Sequence, residues 1–585
     1  MRGRYLGILR PSAQASPRAT RAVRSCFDSI PGFECAIDTD RLSLGVAGTL
    51  TLSRLPDGGG AILGSLFSAS GAGRIETLGR HEAQRITASH GKSLLDRYWG
   101  GYVAILPGAG GRTSVLRAPF GELPCYFITA DDAVIVASDV ALLIATGLVT
   151  PQIDWSAIAI HLGAREVHHP ETCLDGVTEI TGGRRLTLDP RDTALDDVWS
   201  PWMFAGTDRR IEDPGEATRL VRDAVLACVS ARAAAFDHIL LMLSGGLDSS
   251  IVAAALAHQE RPFTCLNLVT RDTAGDERVY ARSVAAAFHC VLLEHLRDPT
   301  QIDFATSLAA RLPRPSARAF SQETARAAAH AAATAGADAI FNGGGGDNVF
   351  CSLQSAAPAA DRLLTSGPGA AFRQSVVDLA LLASASVWQV TMAAVNRAWI
   401  RGPAFRAPRD IQLLARDAAG RVADAPIHPW LRAPRRALPG QASHIALLTF
   451  AQSYVESVDP QDPLPTVLPL LAQPVVEACL RIPSWLWLGG GQNRLIARRA
   501  FAQDLPARVA DRRSKGSPNI FSAELFDANR SVIRDLLLGG ELAAHGIIDP
   551  VAVSQALGRD GPLQGEAFYR LLQLADVEAW TRAWA

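Results

Sequence analysis

From Met1 to about Pro190, apolar and β-branched residues come in short runs broken by Gly, Pro and Asp, as in Tyr102 to Leu106, Thr113 to Leu116 and Val134 to Ala137. Brief apolar runs bounded by turn residues predict strands, so this half is sheet-rich. Between Pro190 and Glu216 the periodicity fades while Asp196, Asp197, Trp199, Pro201, Trp202, Asp208 and Pro214 gather, which places a boundary there and divides the chain into residues 1–200 and 201–585. Beyond it, long Ala/Leu/Arg-rich stretches such as Glu216 to Ala234 and Thr324 to Ala335 predict helices, interleaved with the apolar runs His238 to Leu243 and Ala337 to Phe341. That alternation predicts a parallel sheet covered by helices. The Ala-rich segment Ala325 to Ala337 reads as plain helix, because Ala is the best helix former. The most apolar long stretch, Val376 to Val395, contains Asp378 and Gln389. It falls short of the roughly 20 uninterrupted apolar residues that a spanning helix needs, and it predicts a buried helix.

Composition narrows the class. The chain has 585 residues, 48% of them hydrophobic, with 57 Lys+Arg against 58 Asp+Glu, enough to bury a large core with no global field. A net charge of -1 argues against bulk nucleic-acid binding and against anchoring on an acidic membrane, so partners are recognised locally. The opening MRGRYLGILR lacks an apolar h-region with a cleavage site, which points to the cytoplasm. The 9 cysteines are odd in number and scattered, without a C-x-x-C pair, and read as reduced, mostly buried thiols. Lysine occurs only at Lys92 and Lys515, every other basic residue being arginine.

The chemistry concentrates after Ile239 to Leu243, where Ser244-Gly245-Gly246-Leu247-Asp248-Ser249-Ser250 is followed by Ile251 to His258 at helical spacing. A strand, a tight loop and a helix result. The glycines let backbone wrap an anion, Ser244, Ser249 and Ser250 can donate hydroxyls, and the helix start offers unpaired N–H groups, all of which suit pyrophosphate. Asp248 would repel phosphate unless a cation lay between them, so Mg²⁺ is inferred there. A competing nucleotide loop at Gly91-Lys92-Ser93 fails, since Ile86 stands where its first glycine belongs and no strand leads in.

The pattern S-G-G-x-D-S-S resembles the asparagine-synthetase-like branch of the ATP-pyrophosphatase families, which cleave ATP between the α and β phosphates and activate a carboxylate as its acyl-adenylate. Trp199-Ser200-Pro201 resembles the family's linker, and Asp276-Glu277 with Tyr280-Ala281-Arg282 its acidic helix opening. Asn342-Gly343-Gly344-Gly345-Gly346-Asp347-Asn348 is similar to its second glycine loop, with Asn348 departing from the usual final Glu. The resemblance implies that Leu243, Leu268, Asn342 and Gly343 surround the adenosine of ATP, that Ser244, Gly245, Gly246, Ser249 and Ser250 hold the phosphates, and that Asp347 joins Asp248 on magnesium. Pro469-Leu470-Leu471, Arg494 to Arg499, Pro506 and Arg512-Arg513-Ser514-Lys515-Gly516 follow the order of the family's last segments. This places Arg494 on the phosphates. Lys515, retained against the arginine bias, is the candidate transition-state cation, because a compact ammonium can follow charge onto a developing oxyanion.

Tyr98 to Leu143 resembles the glutamine-amidotransferase domain that precedes such synthetases. The implied architecture is an α+β, N-terminal-nucleophile (Ntn) type sandwich, inactive, followed by the α/β ATP-pyrophosphatase domain. An active glutaminase needs a cysteine exposed after Met removal, its α-amine serving as base. Here Arg2 follows Met1, Cys26 lacks a free amine of its own, and Gly64-Ser65-Leu66 stands where a glutamine-binding Asn-Gly-Glu is expected. Without glutamine-derived ammonia the substrate must carry its own amine, which within the family leaves β-lactam synthetases and lasso peptide cyclases. The stretches Pro469 to Pro474, Arg481-Ile482-Pro483 and Asn342 to Cys351 resemble the cyclases more. Such an enzyme adenylates an Asp or Glu side chain of a leader-free core peptide, releases pyrophosphate and closes an isopeptide macrolactam with the peptide's α-amine. The alternative is a β-lactam-synthetase-like or ammonia-dependent amide ligase acting on a small molecule; a nucleotide-sensing scaffold is a third reading, disfavoured by the intact loops. Expected partners are the ribosomal precursor peptide, with a leader peptidase and a leader-binding protein as further candidates, and neither nucleic acid nor a membrane span. Helices between Asp361 and His444 are expected to shape the peptide cavity. Candidates for the general base are Tyr454 with Glu456, similar in kind to the β-lactam synthetase dyad, and His444, although buried Tyr and His more often serve structure.

Overall fold

The computed structural model describes residues 3–12, 15–56, 60–69, 73–108, 110, 112–164, 167–189, 192–272, 275–513, 519–558 and 567–585. The first half is built from two six-stranded antiparallel sheets. One is centred on Arg4–Leu9, paired with Ala133–Ala137 and Leu42–Ala47; the other on Thr113–Arg117 and Tyr102–Pro107. Side chains alternate across each strand. Tyr5 and Leu9 point into the layer between the sheets with Val103, Ile105, Val115 and Val136, whereas Leu6 and Ile8 face an outer helical layer. Tyr102, Ala104 and Leu116 face the opposite way, into a core shared with the second half. The strands expected at 102–106, 113–116 and 134–137 are all present. A further strand, Asp192–Asp197, pairs with Arg184–Asp189 inside the region read as a fading linker, so the sandwich runs almost to Trp199.

The second half contains a five-stranded parallel sheet in the order Val291–Leu296, Phe263–Val269, Ile239–Met242, Ala339–Asn342, Thr466–Val467. Ile239 and Leu241 face the helices Pro214–Ala233 and Leu247–Ala257, while Leu240 faces the Ala-rich helix Ser321–Ala335. Small Ala side chains let that helix lie close to the sheet, and Gly336 closes it in the left-handed conformation (φ +65).

The halves are joined by buried charge. Glu179 accepts from Arg117 at 2.5 Å and also from Arg314, all three being buried. Trp199 Nε1 donates to Glu477 at 2.9 Å.

The expectation of one buried helix over Val376 to Val395 is corrected. Ser384 takes a left-handed conformation (φ 51) that ends Ala370–Ala383, and Ser386 caps a second helix, Val387–Val395. The two helices cross at 117°, and Leu381 and Trp388 are 63% and 71% exposed. No single helix among the described residues is long and apolar enough to cross a membrane. The nine cysteines are all free, seven of them buried.

Candidate active site

Ile239–Met242 and Ala339–Asn342 are neighbouring parallel strands whose onward connections leave in opposite directions across the sheet. Such a reversal opens a crevice beyond the carboxyl ends of the strands, where α/β proteins bind ligands. Both glycine loops emerge into it.

In the first loop, Gly246 N donates to Ser244 Oγ at 3.2 Å, and the Ser244 and Ser249 hydroxyls lie 3.2 Å apart. The helix Leu247–Ala257 starts there and directs its first N–H groups at the crevice. The second loop lies directly on the first. A Cβ on Gly343 would come within 2.6 Å of Ser249 N, and one on Gly346 within 2.5 Å of the Asp248 carboxyl carbon. Only glycine permits that approach.

The crevice encloses about 670 Å³ and is lined by Leu243, Ser244, Gly246, Asp248, Ser249, Leu268, Asn342, Gly343, Asp347 and Arg494. Two expected phosphate-loop contacts are placed differently. Ser250 is fully buried and turns its hydroxyl back to Gly246 O at 2.7 Å, while Gly245, at φ +69, packs against Tyr280. Both shape the loop from behind. Lys515 lies outside the described residues.

Asp248 and Asp347 converge on a single nitrogen. Arg494 Nη1 donates to the Asp248 carboxylate at 2.9 and 3.0 Å and to Asp347 Oδ1 at 2.5 Å. Arg494 itself adopts a left-handed backbone (φ 54), a strained conformation typical of functional positions. Two carboxylates within reach of one cation, under a phosphate-type loop, fit Mg²⁺, which takes one or two carboxylates plus phosphate oxygens. Those two residues would hold it. Arg494 therefore bears on the carboxylates as well as facing the crevice expected to hold phosphates.

Three further residues reach the crevice wall, two of them, Arg498 and Arg512, within segments that follow the family's order but were given no role there, and Asn267 unread. Arg498 lines the crevice, and burial lowers its pKa to about 10, still cationic at neutral pH. Arg512 stacks over Tyr280 at 3.9 Å and pairs with Glu277 at 2.6 Å. Asn267 donates to Leu243 O at 2.8 Å while its side-chain oxygen, buried in the crevice wall, has no partner. An adenine amine would satisfy it. The arginine-rich run 494–513 was the available signal for the first two; Asn267, embedded in an apolar strand, gave none.

Beside the crevice opens a chamber of about 850 Å³. Asn348 lines both, and it donates to Leu447 O at 2.7 Å. Leu447 faces the crevice, and Phe450 and Tyr454, further along the same face of the helix Pro439–Glu456, line the chamber. Its other walls are Arg318 to Phe320 and the C-terminal helix Ala567–Trp584, with Tyr569, Arg570 and Asp576. Burial pushes the Asp576 carboxyl up to about 7, partly opposed by Arg318 and by the Ala319 N–H that donates to it at 2.7 Å. The segment Asp361 to His444, expected to shape this space, supplies only Pro408, Asp410 and Gln412. A smaller cavity of about 500 Å³ lies behind the same strap, against Phe405, Ile427 and His428.

The structure does not assemble the expected Tyr/Glu pair. Residues two apart on a helix point in nearly opposite directions. Tyr454 faces the chamber, while Glu456 is buried against the first half, accepting from Gly182 N at 2.8 Å and lying 3.3 Å from His168. Burial pushes Glu456 up, but His168 and Arg117 outweigh it and hold the carboxyl at about 2. His444 is buried too, its Nε2 2.9 Å from Val349 O, and burial lowers it to about 4. Both are placed for structure. In the first half, Cys26 is 3% exposed and faces a hydrophobic core, and the cavity of about 190 Å³ at Gly64, Ser65 and Gly101 has no cysteine in its described lining.

Fold and site together describe a parallel α/β domain whose glycine-loop crevice opens beside a second, larger cavity. The asparagine synthase family matches residues 220–582, and the chain belongs to that family, one of ATP-dependent carbon–nitrogen ligases. No curated protein matches the chain. Among solved structures it is similar to glutamine phosphoribosylpyrophosphate (PRPP) amidotransferase from B. subtilis complexed with ADP and GMP, at 10% identity over 50% of this chain and 80% of that one, with a TM-score of 0.21. A structure described as the allosteric regulatory enzyme of purine biosynthesis matches at 12% identity, again over 50% and 80%, with a TM-score of 0.21.

Proposed function

We propose that this ligase closes a lasso peptide, adenylating an Asp or Glu side chain of a leader-free core peptide with release of pyrophosphate and then joining that carbonyl to the peptide's own α-amine. The observation that carries the reading is the chamber of about 850 Å³ joined to the nucleotide crevice through Asn348 and one helix face. A single amino acid would leave most of that space as water. A folded peptide segment would fill it, against the aromatic rings of Phe320, Phe450, Tyr454 and Tyr569.

The residues divide the work by position. The first loop and Arg494, Arg498 and Arg512 bind and orient the triphosphate, and Asp248 and Asp347 hold the metal. Magnesium, when bound, neutralises phosphate charge and favours departure of pyrophosphate. Lys515 keeps on this reading the role that the family resemblance gives it, meeting the charge that builds on the reacting carbonyl. Holding amine and adenylate together in the chamber contributes most, about 7 to 11 kcal/mol for well-oriented pairs. The attacking ammonium must first lose a proton. Asp576, with a carboxyl near 7, faces that space and would take it, whereas Tyr454, a neutral phenol without its Glu456 partner, would orient the amine. Ammonia is not drawn from glutamine on this reading, which rests on Arg2 standing where the family's amidotransferases carry their nucleophilic cysteine.

The test is pyrophosphate and AMP release with candidate core peptides, followed by mass spectrometry of the product. Pyrophosphate release together with loss of one water from the peptide is expected. Turnover with only a small amino acid would favour the β-lactam-like or ammonia-dependent alternative, and ADP formation would overturn the adenylation.

A further inference from the structure

The bent helical pair leaves apolar surface that no described residue covers. Along Val387–Val395 and the π-helical turn Asn396–Arg401, Val390, Ala394 and Ala398 follow at four-residue spacing and are buried. On the opposite side Trp388, Met392 and Trp399 follow at spacings of four and seven, exposed by 71%, 49% and 65%, with Ile400 beside them at 77%. The preceding helix adds Leu381 at 63%. Gln389 and Thr391 are the only polar residues of Val387–Val395, and a helix so largely apolar is ordinarily covered over most of its surface; this one is covered on one side only. None of these exposed side chains lines the crevice, the chamber or the smaller cavities, so the surface is a ridge and offers no groove to grip a peptide.

Charge selects the occupant. The whole chain is nearly neutral, yet residues 384–409 contain Arg397, Arg401, Arg406 and Arg409 and no acidic residue. Arg401, next to Ile400, is exposed; Arg406 and Arg409 are exposed as well but line the smaller cavity, where Arg409 Nη1 donates to Ala423 O at 2.7 Å. Indole rings prefer the boundary between headgroups and acyl chains, and arginines beside them are drawn to anionic lipid. We infer that this ridge seats the enzyme on the surface of an anionic lipid bilayer, with Trp388, Trp399 and Ile400 entering the interface and Arg401 on the headgroups. The association is peripheral: the break at Ser384 and the 117° bend suit two short helices lying along a surface.

Vesicle flotation of the full chain tests this. With vesicles of equal parts phosphatidylglycerol and phosphatidylcholine the protein should float, and with phosphatidylcholine alone about ten-fold less, the difference shrinking at high salt. The triple substitution Trp388→Ser, Trp399→Ser, Ile400→Ser should reduce flotation by at least about ten-fold, and charge reversal at Arg401 should weaken the preference for phosphatidylglycerol. Both variants alter exposed side chains, and unchanged melting temperatures will confirm that they fold. Brominated lipids should quench tryptophan fluorescence in the wild type and not in the triple variant. Failure of the wild type to float with anionic vesicles, equal flotation of the triple variant, or light scattering that shows a dimer dispersed by the same substitutions would each overturn the inference, the last assigning the ridge to a second copy.

Discussion

Asp248 is held between Arg494, which donates to both of its carboxylate oxygens, and Gly346, packed against its carboxyl carbon. Replacing it by Asn keeps the shape and removes the charge that holds both arginine and metal. Asp248→Asn is expected to lower pyrophosphate release by at least about 100-fold, measured beside equilibrium ATP binding, which should weaken in magnesium and change little in its absence. Asp576→Asn should behave differently. If the carboxyl receives the ammonium proton, adenylation and pyrophosphate exchange survive while ring closure falls by about 10² to 10⁴; equal loss of both steps would make Asp576 structural. Of the residues that line the crevice, Ser244, Ser249, Asp248 and Asp347 were legible from the two glycine loops, whereas Ser250, one residue further into the helix, turns its hydroxyl away. Asp576 was not legible, since nothing local distinguishes an acid in an amphipathic helix from one whose neighbours strip it of water.

The element that decides the site is the pair of glycine loops, packed backbone on backbone. Gly343→Ala would drive a methyl into Ser249 N, at 2.6 Å, with no flexible side chain to yield. A loss of about 1 to 3 kcal/mol in urea unfolding is expected, with ATP binding weakened in parallel; an alanine variant of undiminished stability would show that the loops stand further apart. Strand and helix patterns predicted both loops' flanks well, because strand, turn and helix start are local. The helix over Val376 to Val395 failed for the converse reason. Apolar content alone does not say whether neighbours exist to cover both faces, and here they cover one.

Across the whole molecule, buried ionic groups tie the halves together. Glu179→Ala would leave Arg117 and Arg314 buried without a counter-charge, and a cost of about 3 to 5 kcal/mol is expected, measurable by urea unfolding of the full chain. Stability against pH reflects opposing groups. Burial lowers His161 and His428 to about 3 and His169 and His444 to about 4, so as pH falls through their ordinary 6.5 the unfolded chain gains protons first and stability declines. Burial raises Asp361, Glu477 and Asp576 to about 7, so over pH 7 to about 4 the folded chain gains those protons first and stability rises. Glu456, held at about 2, adds stability that is lost below its ordinary 4.5. The melting temperature should stay nearly level from about pH 7 to 4.5 and fall steeply below about 4, where the raised acids no longer compensate; a steep decline already between pH 7 and 5 would contradict these assignments. The amino-acid sequence by itself determined the two-part organisation, the strand–loop–helix unit and the make-up of the two glycine loops, because each rests on patterns among residues near one another in the chain. Only the tertiary structure decided which carboxylates converge, that Glu456 leaves the chamber while Asp576 enters it, and which face of the bent helices stays bare. Those outcomes depend on what packs against each group from distant parts of the chain.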